Sequence, residues 1–137
     1  MENNFIFLAV LIQILLTITV YVSLGFAKAK AIKLNQVNLD RRGMHEDAWP
    51  ESVQKINNNI RSQFEVPILF YIMVFMLWEL NAVDIYVQTV AWGFVFSRMI
   101  HSYIHTGSNY VPLRRRFFFV GIACIFALIA FCIKAIL

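Results

Sequence analysis

Four apolar blocks separated by short polar stretches run through the chain, at about residues 5–26, 64–80, 83–104 and 117–137. A helix of about 20 apolar residues crosses a bilayer core, so the first and last blocks are long enough on their own. The first is interrupted by little beyond Gln13, Thr17, Thr19 and Ser23. Only Glu2 and two asparagines precede it, with no basic region, and it outruns an ordinary signal core. It therefore reads as a span rather than a cleaved leader. Gln13 reads as a polar side chain tolerated within that span rather than a contact between helices.

The polar stretches set the rest of the pattern. AKAKAIKL continues the first helix out of the membrane, its lysines reaching to the headgroups. VNLDRRGMHEDAWPES is a loop punctuated by Gly43 and Pro50. Pro50, Glu51 and Ser52 suit the first turn of a second helix, expected over about 50–80. That helix is polar in its first half and apolar in its second, and Pro67 is expected to kink it. Residues 66–80 are short for a crossing alone. Gln63, Glu65 and Arg61 therefore enter the membrane zone, where they must face protein or a wet cavity. The tight polar turn at 81–84 predicts that the helices on either side of it are antiparallel neighbours. HTGSNYVPLRRR is the expected last loop, with Gly107, Asn109 and Pro112 as breakers and three arginines at its end.

Composition agrees with this layout. Hydrophobic residues make up 60% of the chain and mean hydropathy is +0.66, whereas soluble domains hold about 45–50% apolar residues. The fold class is an all-α integral membrane protein, a four-transmembrane-helix bundle in a single domain over residues 1–137. A net charge of +4 and a pI near 9.3 raise nucleic acid as a partner. The basic residues flank apolar blocks instead of forming a separate soluble face, which excludes it. Nearly all Lys and Arg lie in the two loops joining spans one to two and three to four, and the other side has Lys134. The positive-inside rule places both loops in the cytoplasm and both termini outside. Membrane lipids are thus expected partners, with Arg114, Arg115 and Arg116 as an anchor to anionic headgroups. Cys124 and Cys132, eight residues apart in one helix, are separated by about 12 Å, too far for a disulfide.

Two polar sets share helical faces. Asn58, Arg61, Ser62 and Glu65 recur at three- and four-residue spacings on the second helix, and Arg98, His101 and His105 do so on the third. Both sets lie at the loop end of antiparallel helices, so Asn58, Arg61, Glu65, Arg98 and His101 are expected in one cluster with His105 and Arg114 at its rim. Guanidinium groups fork onto carboxylates, and Glu65 either holds an ammonium or pairs with Arg61 or Arg98. The same cluster can serve as helix glue in a non-catalytic scaffold or accessory subunit. His101 and His105 have metal-ligand spacing but no third ligand beside them, so no metal is expected.

The segments NNNIRSQFEVPILFY, WGFVFSRMIHSYIH and VPLRRRFFF, with the four spans, resemble the MAPEG family, the membrane-associated proteins in eicosanoid and glutathione metabolism. The likeness covers nearly the whole chain and is strongest to bacterial members, which implies the bacterial inner membrane. It implies a left-handed four-helix bundle assembled as a homotrimer. It further implies glutathione as co-substrate at the cytoplasmic side between subunits, lipophilic small molecules as second substrates, and transferase or peroxidase activity. On that likeness Asn58, Arg61, Glu65, Arg98, His101 and His105 hold glutathione, and Arg114 is the nearest counterpart of the arginine that activates the thiol. The chain departs from the enzymes' Arg-x-x-x-Asn-x-x-Glu pattern: Glu65 is in place, but Ser62 and Asn58 stand where asparagine and arginine are usual.

Overall fold

The computed structural model describes residues 2–137, and it is helical throughout, without strands among the described residues. Five α-helices follow a short 3₁₀ turn: α1 (Ile6–Lys33), α2 (Glu51–Gln63), α3 (Val66–Glu79), α4 (Ile85–Thr106) and α5 (Val111–Ile136). Among the described residues three stretches are long and apolar enough to cross a membrane: Asn3–Lys33, Glu51–Glu79 with α2 and α3 taken together, and Val111–Ile136. Helix α4 carries Arg98, His101 and His105 on its buried face, and it completes the bundle beside the other three.

Helix ends follow local chemistry. α1 has 28 residues, a length of about 42 Å, and its hydroxyls are absorbed internally. Thr19 donates to the Leu15 carbonyl at 2.8 Å and Ser23 to the Thr19 carbonyl at 2.9 Å. The helix stops at Asn35, whose φ of 55° is left-handed; Gln36 N–H donates back to Ala31 O at 3.0 Å and Asn35 N–H to Ile32 O at 3.1 Å. This is the closure that asparagine, like glycine, can provide. Asn81 (φ 53°) ends α3 in the same way, with Ala82 N–H donating to Leu77 O at 2.9 Å. Asp84 then caps α4, accepting from Val87 N–H at 2.8 Å.

The expected kink at Pro67 is a two-residue break at Phe64 and Glu65. A proline ring clashes with the carbonyl four residues earlier and offers no N–H, so α2 cannot continue past Gln63. Pro67 instead sits in the first turn of α3, where its missing donor costs nothing. The last helix differs from expectation. α5 begins at Val111 with Pro112 in its first turn, so Arg114, Arg115 and Arg116 lie on the helix and not in a loop. Proline here starts a helix instead of breaking one.

The largest helix–helix interface is between α4 and α5. Gly121 makes it close: a Cβ there would meet Ser97 Oγ at 3.3 Å. The helices before and after the 81–84 turn are neighbours as expected, chiefly through the first half of the second helix: α2 packs on α1 and α4, while α3 packs most extensively on α5. The break at 64–65 redirects the chain between those two neighbourhoods. Contact between α3 and α4 persists in the core, where the rings of Phe70 and Phe94 stack at 4.4 Å. Ile6, Ala9, Val74, Leu77, Ala91, Val95 and Leu128 complete this core, while Leu11, Leu15, Phe75, Phe96 and Phe126 point outward. Such an apolar exterior is what a lipid-facing surface requires.

Candidate functional site

Polar side chains concentrate where α2, α4 and the start of α5 meet. A cavity of about 350 Å³ is lined there by Asn58, Arg61, Glu65, His101, His105 and Arg114, among others. Ser62 and Arg115 add further polar wall, and Val111 and Phe118 an apolar one. Its volume lies within the about 300–1,000 Å³ common to small-molecule sites. The structure thus brings six of the seven sequence-derived site residues to one opening.

Arg98 is the seventh, and its place is different. It is fully buried and does not line the cavity; it lies behind Ser62, donating from Nη2 to Ser62 Oγ at 2.6 Å and to Ser62 O at 3.2 Å. Its Nε and Nη1 have no hydrogen-bond partner among the described residues. The expected pairing of Glu65 with Arg61 or Arg98 is corrected in part: Glu65 makes no salt bridge among the described residues and acts on Arg98 only through space. Glu65 is exposed at the helix break (φ −96°, ψ −93°), yet it lines the cavity beside Ser62 and Arg61. Arg61 pairs instead with Glu46 from the preceding loop.

His101 Nδ1 lies 3.1 Å from the Arg114 carbonyl. A carbonyl only accepts, so the imidazole proton is on Nδ1 and Nε2 is free to accept. His105 stands edge-on to His101 at 5.6 Å between centroids, and its buried Nδ1 has no partner among the described residues. The Arg114 side chain is fixed at its tip: Nη1 donates to Asn109 Oδ1 at 2.5 Å, and Asn109 adopts φ 53° in the α4–α5 turn. Lys55 ties the same turn to α2 by donating to Gly107 O at 2.8 Å.

Beside the cavity runs a buried amide ladder. Gln13 Nε2 donates to Gln63 Oε1 at 3.0 Å. Gln63 Nε2 donates to Asn59 Oδ1 at 3.0 Å and to Ser102 Oγ at 2.7 Å. Ser102 Oγ donates to Asn59 Oδ1 at 3.2 Å. Gln13 is therefore not a tolerated stray: it is fully buried and joins α1 to α2. The four-residue spacing of Asn59 and Gln63 is the signal in the sequence for the ladder. Gln13 has none, because α1 is apolar on every side.

Fold and composition define a polytopic helical membrane protein with a polar cavity at one end of its bundle. The sequence profile of the MAPEG family matches residues 5–134, nearly the whole chain, and the protein belongs to that family. No curated protein and no solved structure matches it.

Proposed function

We propose that this protein is a glutathione-dependent transferase or peroxidase acting on lipophilic substrates, assembled as a homotrimer with the cavity on the cytoplasmic side of a bacterial inner membrane. The observation that carries the reading is the donor set around the cavity. Arg61, Arg114 and Arg115 offer guanidinium groups for carboxylates, Glu65 offers a carboxylate that forms no salt bridge among the described residues, and Asn58 adds an amide. A ligand with two carboxylates and one ammonium, as glutathione has, fits that chemistry. The orphaned Nε and Nη1 of Arg98 and Nδ1 of His105 add unspent donor or acceptor capacity next to the opening.

Each residue then has a task. Arg61 and Arg115 hold carboxylates, Glu65 holds the ammonium, and Asn58 orients the peptide backbone by hydrogen bonding. Arg114, held by Asn109, presents fixed positive charge where a thiol must ionise, and a nearby cation favours the thiolate. Arg98, one layer below, adds positive potential through a low-dielectric interior instead of by contact. His101 Nε2 accepts a proton or hydrogen bond at the cavity wall. Val111 and Phe118 give an apolar approach for a membrane-borne substrate. Glutathione itself supplies the sulfur nucleophile.

Purified protein in detergent, supplied with glutathione and 1-chloro-2,4-dinitrobenzene, is expected to form the thioether and release chloride. No turnover together with no heat of glutathione binding would sink the proposal. One observation favours a second reading, a non-catalytic scaffold or accessory subunit. The amide ladder and the Arg98–Ser62 bonds give much of the polar cluster a purely structural occupation. Co-purification of a stoichiometric partner, with no ligand binding, would support that reading.

A further inference from the structure

The loop between α1 and α2 delivers a carboxylate to Arg61, a wall residue of the cavity, and nothing in its own folding demands that it do so. Residues 34–50 close on themselves: Asn38 N–H donates to Ala48 O at 3.1 Å, Arg41 pairs with Asp47 at 3.1 Å, and Trp49 Nε1 donates to Arg42 O at 3.1 Å. Lys28 stands 4.9 Å over the Trp49 ring, and Gln54 Nε2 donates to Trp49 O at 2.7 Å, fastening the loop to α1 and α2. Glu46 opens a short 3₁₀ turn, Glu46–Ala48, and its carboxylate meets Arg61. Arg61 is at the same time a wall residue of the cavity, one helical turn before Glu65.

We propose that Glu46 is a built-in occupant of the anion-binding position on Arg61, which an anionic ligand must displace, so that Glu46 sets the affinity of the cavity and ligand entry releases the loop at Glu46. This rests on the reading that the cavity takes a carboxylate-bearing ligand. Glu46 sits on Nη2 of Arg61, the nitrogen common to both forks of a guanidinium, so a ligand carboxylate that takes Arg61 in bidentate fashion competes with it. Both side chains are largely in solvent, 61% exposed for Arg61 and 51% for Glu46. Exposed ion pairs are weak, worth at most about fivefold in an equilibrium constant, so the exchange is a tuning device and not a lock. The remaining anchors of the loop do not involve Arg61, so the loop stays folded while Glu46 swings away.

The test uses the full chain in detergent with two probes: glutathione, and glutarate, a dicarboxylate without thiol or ammonium. Calorimetry is run on wild type, Glu46→Gln, Arg61→Gln and the double variant. Trp49 emission is followed in a Trp78→Phe/Trp92→Phe background, with calorimetry in the native background as the independent readout. Glu46→Gln is expected to tighten both probes by about three- to fivefold, and the gain is expected to vanish when Arg61→Gln is also present. In the background carrying Glu46, Trp49 emission is expected to change along the binding isotherm. Equal glutathione affinity in wild type and Glu46→Gln overturns the exchange while leaving glutathione binding intact. Glutarate binding that tightens in Glu46→Gln, without any glutathione binding, keeps the exchange and removes glutathione as the ligand. Binding of neither probe to any variant overturns both.

Discussion

Replacing Gln63 with methionine tests the ladder that holds α1, α2 and α4 together. Methionine keeps the length of the side chain and removes its amide. Gln63 is 1% exposed, so no solvent reaches the groups it leaves behind. Four bonds go: to Asn59 at 3.0 Å, to Ser102 at 2.7 Å, from Gln13 at 3.0 Å and a long one from Thr17 at 3.5 Å. Hydrogen bonds between membrane helices average about 0.6 kcal/mol each, which puts the loss near 2 kcal/mol. Asn59 and Ser102 keep their mutual bond, whereas Gln13, whose Oε1 already has no partner among the described residues, is stranded. That orphan raises the loss toward about 3 kcal/mol. Gln13→Met in the same chain removes the stranded amide, so the double variant is expected to lose about 1 kcal/mol less than the sum of the two single losses. Unfolding by sodium dodecyl sulfate in mixed micelles, followed by far-ultraviolet circular dichroism, measures all three variants. A Gln63→Met loss under about 0.5 kcal/mol, or strict additivity in the double variant, would refute the ladder as a structural element.

Other expectations follow from single contacts. Gly121→Leu drives a side chain against Ser97 and Phe94, since its Cβ alone would stand 3.3 Å from Ser97 Oγ, and is expected to lower stability in the same assay by about 1–3 kcal/mol. Asn81→Val forces a β-branched residue to φ 53° and is expected to cost about 1–2 kcal/mol, while Asn81→Gly holds or raises stability. Arg114→Ala is expected to reduce turnover with glutathione at least tenfold, about 1.4 kcal/mol of barrier. Asn109→Ala, which frees the Arg114 side chain without removing its charge, is expected to lose less. Turnover of Arg114→Ala at the wild-type rate would remove this residue from the chemistry.

Much of the fold is legible in the chain because a membrane protein must bury long apolar stretches and stop its helices with recognisable residues. The apolar runs locate α1, α3 and α5, and Pro67 locates the break. The gathering of Asn58, Arg61, Glu65, His101, His105 and Arg114 at one opening follows from helical spacing and from both sets lying at the same end of the bundle. What spacing does not contain is phase across a break. With two non-helical residues at the break, Glu65 makes no salt bridge to Arg98, whose guanidinium goes to Ser62. The partner of Arg61 is hidden for another reason: Glu46 reaches it from a loop whose return path no periodicity records. Gln13 escapes detection because periodicity finds an inward face only where the outward face is polar, and lipid removes that contrast.

The most direct test of the central claim is the structure of the protein solved in the presence of glutathione. A tripeptide is expected in the cavity between α2, α4 and α5, its carboxylates on arginines that include Arg61, its ammonium toward Glu65 and its sulfur beside Arg114. A cavity with no ligand at saturating glutathione, or a ligand bound away from these residues, would contradict it.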